Sequence, residues 1–126
     1  MRLNQVTVPL VDYGASKAFY LKLGLKLIVD SPPRYARFEM PEGGSSFSIE
    51  KVDGVGGSEW PLIWFESDRL DDLVGELKAK GIAFEGDPED KSYLWRVATL
   101  RDPAGNLLAL YHAGANRLNP PWRVKG

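Results

Sequence analysis

The residues of this chain that could bind or transform a small molecule are few and of mixed chemistry. Glu50 is a carboxylate that could accept a proton if burial raised its pKa towards neutrality. Arg37 could hold a negative charge on a ligand, its competing role being an ion pair with Glu50 or Glu39. Trp64, Trp95 and Tyr111 offer rings for stacking on a planar or cationic group, and their competing role is packing between two halves of the chain. Gln5 and Ser48 add neutral polar groups that could orient a ligand. The single histidine, His112, alternates to the side of its strand opposite Tyr111, and no Ser-His-Asp arrangement stands out.

Alternation decides which of these residues can share a surface. In "SFSIE" Phe47 and Ile49 alternate with Ser46, Ser48 and Glu50, and in "LIWFE" Ile63 and Phe65 alternate with Leu62, Trp64 and Glu66. One face of each strand is apolar enough to take a helix. The other collects Gln5, Thr7, Tyr35, Arg37, Ser46, Ser48, Glu50, Trp64, Trp95, Thr99 and Tyr111, the blend of rings and polar groups found in concave ligand sites.

Those strands belong to an internal repeat. "NQVTVPLVD" lies over "PLIWFESDR", and the same offset places Gly81 of "AKGIAFEG" 57 residues after Gly24 of "KLGLKLIV". Each copy opens on an alternating strand and continues into a helix. The first helix is read from Ala15, Ala18, Phe19 and Leu23 before Gly24. The second is read from Leu70, Leu73, Val74 and Leu77, with Asp68 as N-cap and Gly81 as stop. Three strands should follow in each copy, near 25–29, 34–40 and 46–51, then near 82–85, 93–100 and 106–112. Residues 102–106, "DPAGN", read as a reverse turn before the last strand. Two βαβββ units result, about 3–52 and 60–113, joined by the glycine-rich "VDGVGGSE", with a tail over 114–126.

Composition narrows the partners. A chain of 126 residues with 44% hydrophobic content suits one domain, 1–113, with a sizeable core. Sixteen basic residues balance seventeen acidic ones, for a net charge of −1, so no basic stripe is available for nucleic acid. No apolar run is long enough for a membrane span and the start does not read as a signal peptide, which leads to the expectation of a cytoplasmic protein. Without cysteine the chain has neither disulfides nor thiolate chemistry. Pro120 and Pro121 stiffen the approach to Trp122, whose ring is expected to dock on the chain's own sheet edge or on a second subunit.

The paired βαβββ units, the opening "VPLVDYGASKAFYLKLGLKL" and the closing "LRDPAGNLLALY" resemble the vicinal oxygen chelate superfamily, which includes glyoxalase I, bleomycin-resistance proteins, fosfomycin-resistance enzymes and extradiol dioxygenases. The resemblance covers residues 3 to about 113. It implies an α+β fold in which two βαβββ units form a curved, cup-like mixed sheet with helices outside, and it implies a homodimer. In metal-using members the ligands come from the first and last strand of each unit, usually as His, Gln or Glu. The corresponding slots here are Gln5, Glu50, Leu62 and Ala109, and the last two have nothing to donate.

The resulting expectation is a binding protein of the glyoxalase/bleomycin-resistance type for a small organic molecule, with a degenerate metal site, no metal and no cofactor. Its site would comprise Gln5, Arg37, Ser48, Glu50, Trp64, Trp95 and Tyr111. The alternative is a lyase, isomerase or dioxygenase of the same superfamily using a divalent metal.

Overall fold

Asp12 opens the first helix by accepting a hydrogen bond from the Ala15 amide on its side chain at 3.0 Å, and Gly24, at φ 109°, closes it in the left-handed conformation that costs glycine least. These caps set helix α1 at Tyr13–Leu23, between strand β1, Gln5–Leu10, and strand β2, Lys26–Ser31. Strands β3, Tyr35–Glu39, and β4, Ser46–Lys51, complete the unit. The computed structural model describes residues 2–53 and 61–123, so most of the "VDGVGGSE" link lies outside the described residues.

The same order recurs as β5 (Ile63–Glu66), α2 (Leu70–Ala79), β6 (Glu89–Asp90), β7 (Arg96–Arg101) and β8 (Leu107–His112). Two open, mixed four-stranded sheets result, ordered β1-β4-β3-β2 and β5-β8-β7-β6, each with its first and last strands paired in parallel. The fold is α+β, built from two βαβββ units. By compactness, the first consists of Met1–Trp60 with Asp102–Asn106, and the second of Pro61–Arg101 with Leu107–Gly126.

In the first unit α1 packs on β4, and its most buried positions are not those its apolar pattern marks. Ala15 and Ala18 are exposed and Phe19 and Leu23 half-buried, while the fully buried positions are Ser16 and Tyr20. Tyr20 wedges its ring against Phe47 at 4.7 Å and Phe38 at 5.8 Å between centroids. Its hydroxyl donates to the Asp102 carboxylate at 2.6 Å, so the polar end of this core side chain is satisfied. Asp102 is itself buried at 4% exposure and accepts from the amides of Ala104 and Asn106 and from Asn106 Nδ2. Asn106 Nδ2 also donates to the Pro9 carbonyl at 2.8 Å. The turn expected at 102–106 is thus present, with Gly105 at φ 87°.

In the second unit Leu70, Val74 and Leu77 are buried, as the helical spacing predicts, and α2 packs on β8. Arg96 of β7 holds Asp71 of α2 through two bonds, at 2.8 and 3.1 Å. Three expectations are corrected here. Asp68 is not the N-cap: the helix opens after Arg69, whose amide bonds Ser67 Oγ at 3.1 Å, and Asp68 stays in solvent. Residues 82–85 form no strand, because Gly86, Asp87 and Pro88 interrupt the run; Glu85 bonds Thr99 once through its amide, and the pairing strand is the two-residue β6. The strand expected from residue 93 begins at Arg96, because Lys91–Trp95 forms a turn closed by bonds from the Lys91 amide to the Trp95 carbonyl and from the Leu94 amide to the Lys91 carbonyl.

The tail makes one short 3-10 turn, Gly114–Asn116, tied down by Glu66, whose carboxylate accepts the Ala113 and Gly114 amides at 2.7 and 3.0 Å. Trp122 is 58% exposed, so its ring is not docked on this chain's own surface.

Candidate ligand-binding site

Ladder register shows which side chains stand together on the sheet face turned away from each helix. In the first unit Gln5 pairs with Ser46, Thr7 with Ser48 and Pro9 with Glu50, while across β4 Ser48 pairs with Arg37 and Glu50 with Tyr35. Paired residues point to the same side, so the expected polar face forms. Its centre is a connected hydrogen-bond network. Gln5 Nε2 lies 2.7 Å from Ser48 Oγ, Ser46 donates to Gln5 Oε1, Ser48 Oγ and the Tyr35 hydroxyl are 2.7 Å apart, and Arg37 Nε donates to the Tyr35 hydroxyl at 2.9 Å. Ser48 is wholly buried, whereas Gln5 and Arg37 are exposed.

Glu50 stands apart from this network. It is exposed rather than buried, and it lies four residues along the ladder from the position level with Gln5. Repeat and register together reassign its slot. Thr7 pairs with Ser48 as its repeat counterpart Trp64, 57 residues on, pairs with Ala109, so the equivalent of Ala109 in the first unit is Ser48, not Glu50. Alternation alone could not separate two residues of one strand that face the same way. Arg37, for its part, forms no ion pair with Glu39 or Glu50 among the described residues; its guanidinium lies 5.6 Å from the Tyr35 ring.

In the second unit Trp64, Ala109 and Thr99 form one row across the helix-free face, and Glu66, Tyr111 and Val97 the next. The three expected rings are brought together. Trp95 stacks on Tyr111 with centroids 4.7 Å apart at 27°, and Trp64 meets both rings edge-on at 5.2 Å. Tyr111 is also part of a small buried core with Val97, Ala109 and Ala113, against which Leu62 and Trp95 pack. Trp64 remains 37% exposed and marks the open edge of the cluster. Burial, and then the charge of Glu66, raises the Tyr111 pKa, with Arg117 opposing, so Tyr111 stays a neutral hydroxyl at physiological pH. His112 points to the other side, its ring Nδ1 3.2 Å from the Ser67 carbonyl oxygen.

The cluster has a fourth member that strand alternation did not supply. Tyr93, 40% exposed, meets Trp95 edge-on at 5.7 Å from the Lys91–Trp95 turn. The two-residue spacing in "YLW" carried the signal, but the turn, not a strand, produces the contact. Leu94 lies between them at φ 67°, in a left-handed conformation that costs a branched residue about 1–2 kcal/mol. Because Leu94 is 48% exposed and buries little, Leu94→Gly is expected to leave the thermal midpoint unchanged or raise it. Differential scanning calorimetry of the two proteins checks this, and a clear fall would mean that the leucine side chain, not the backbone, holds the turn.

Among the described residues, no group of three or more His, Cys, Asp or Glu side chains could hold a metal ion, and no helix is long and apolar enough to cross a membrane.

Two βαβββ units, each with a parallel pairing of first and last strands and a chemically mixed helix-free face, define a recognised class of small α+β proteins. The chain belongs to the glyoxalase/bleomycin resistance protein/dioxygenase superfamily, whose family model matches residues 2–110. It is similar in fold to a glyoxalase/bleomycin resistance protein/dioxygenase from Nocardioides, with a TM-score of 0.80 at 20% identity over 99% of this chain and 90% of that one. An antibiotic-binding protein from a Streptomyces species gives a TM-score of 0.76 at 23% identity, over 90% and 96% of the two chains. A bleomycin-binding protein solved with bleomycin gives 0.72 at 22%, over 89% and 98%. No curated protein matches the chain significantly.

Proposed function

We propose that this protein is a binding module for a small organic molecule with a planar, unsaturated part, and that the superfamily's metal site is degenerate in it. The observation that carries the reading is the partly open cluster of Trp64, Trp95, Tyr111 and Tyr93 on the helix-free face of the second unit. Rings already packed against one another lose little freedom when a flat ligand is added, which favours stacking. Relatives of the same fold described as antibiotic-binding and bleomycin-binding support the same reading.

The metal slots, taken by register, are Gln5, Ser48, Leu62 and Ala109. A divalent metal is ordinarily held by about three strong protein donors, and this set offers one amide oxygen and a serine hydroxyl already committed to Gln5 and Tyr35. The residues do not fit a catalytic metal, so no reaction step is assigned to one. The remaining expectations belong to this proposal: binding residues Gln5, Arg37, Ser48, Glu50, Trp64, Trp95 and Tyr111, a cytoplasmic location, and a homodimer in which the exposed Trp122 meets the second subunit.

Native mass spectrometry of gently purified protein, after dialysis against Ni²⁺, Zn²⁺, Mn²⁺ or Fe²⁺, tests the reading in one measurement. The expected species is a metal-free dimer that shifts to a monomer when the chain is ended at Ala113. Near-stoichiometric metal retention that disappears in Gln5→Ala would overturn the degenerate site, and a monomeric intact protein would overturn the dimer.

A further inference from the structure

We propose that the helix-free face of the first unit is a binding site for a carboxylate group, with the Arg37 guanidinium and the Tyr35 hydroxyl as its donors. The proposal deepens the ligand-binding reading and rests on it, but it stands on residues outside the aromatic cluster.

The hydrogen-bond chain runs in one direction. Ser46 donates to Gln5 Oε1, so the amide presents Nε2 to Ser48, and Ser48 Oγ is an acceptor there. Ser48 is fully buried, and its one remaining partner in this network is the Tyr35 hydroxyl, 2.7 Å away. A buried hydroxyl that leaves its proton unused costs free energy, so Ser48 donates to Tyr35. Tyr35 then accepts twice, from Ser48 and from Arg37 Nε, and its own O–H is left to donate outwards from a half-buried position. The relay Ser46 to Gln5 to Ser48 to Tyr35 ends in a donor beside a guanidinium.

Arg37 supplies a second donor. Its Nε is used on Tyr35, and its terminal nitrogens make no hydrogen bond or ion pair with the described residues. That fork matches the two oxygens of a carboxylate, and the Tyr35 bond fixes the plane in which it lies. The neighbours set the charge of the ligand. Glu39 is next but one to Arg37 on its strand, and Glu50 is the register partner of Tyr35, so acidic side chains stand to either side on the same face. One guanidinium between two carboxylates suits a single negative charge and disfavours a dianion such as phosphate.

The test is a titration of the ¹⁵N-labelled full chain with benzoate, its neutral analogue benzamide, and inorganic phosphate, followed by NMR. Benzoate is expected to move the Arg37 Nε–H signal and the Tyr35 and Ser48 amides saturably, with benzamide and phosphate about tenfold or more weaker. Arg37→Gln, which alters only the exposed end of the network, and Tyr35→Phe, which also removes the acceptor of the buried Ser48 hydroxyl, should each weaken benzoate by about tenfold. No benzoate response up to its solubility limit, equal responses to benzoate and benzamide, tighter phosphate binding, or undiminished benzoate binding by Arg37→Gln would each overturn the proposal. Flat compounds that bind the Trp64→Ala and Trp95→Ala proteins as tightly as wild type, with the benzoate response intact, would count against the stacking reading alone.

Discussion

Replacing Asp102 with alanine is expected to destabilise the protein by about 3–5 kcal/mol, because one buried carboxylate collects four donors that would lose their acceptor together. Tyr20→Phe, which deletes only the 2.6 Å hydroxyl bond, should cost about 1.5–3 kcal/mol. Equilibrium urea unfolding measures both. The pair also predicts an alkaline limit. Burial, the negative charge of Asp102 and the hydrogen bond to it all hold the Tyr20 pKa far above the ordinary phenol value of 10.0. The raised pKa belongs to the folded state, so the stability it contributes is fully present below about pH 10. Above that, the unfolded chain ionises while the folded one does not, and this part of the stability falls by about 1.4 kcal/mol per pH unit. Tyr20→Phe should flatten the alkaline decline relative to wild type, and parallel declines would assign the limit to other groups.

Trp95→Ala should have the second largest effect, acting on both stability and binding. Its ring stacks on Tyr111, meets Trp64 and Tyr93 edge-on and donates through Nε1 to the Asn116 carbonyl at 3.4 Å. Fully buried tryptophans cost about 3–5 kcal/mol on truncation, and the partial exposure of Trp95 brings the expected loss to about 2–3 kcal/mol. Trp64→Ala separates the two roles, since a ring already 37% exposed should cost about 1 kcal/mol or less in stability. In a tryptophan-fluorescence screen of flat organic compounds, both variants should lose about 1–3 kcal/mol of affinity for the compounds that bind wild type. A Trp64→Ala protein that binds them unchanged would make the cluster a packing feature.

What could be seen in the sequence was what depends on spacing along one strand or one helix. The 57-residue repeat and the period-two alternation are local, and they led to the two βαβββ units, to the polar face around Gln5, Arg37 and Ser48, and to the grouping of Trp64, Trp95 and Tyr111. The misses arose where a distant partner overrode a local pattern. Four apolar residues marked one face of α1, yet Tyr20 turned inward because Asp102, 82 residues away, satisfies its hydroxyl. Glu50 and Ser48 face the same way on one strand, and only the pairing with β1 shows which lies level with Thr7. The aromatic Tyr93 needed the Lys91–Trp95 turn to bring it to the cluster, and a left-handed leucine is not something propensity predicts.

The allocation of Asp102–Asn106 to the first unit has a consequence for the order of events during synthesis. A nascent chain emerges from its amino end, and β1 through β4 are available long before the turn that finishes their core. Until Asp102 arrives the Tyr20 hydroxyl lacks this acceptor, so the core of the first unit stays incomplete until Pro61–Arg101 of the second have been translated. Contacts this distant in the chain slow folding and couple its parts. An amino-terminal half expressed alone would therefore lack the buried acceptor of Tyr20.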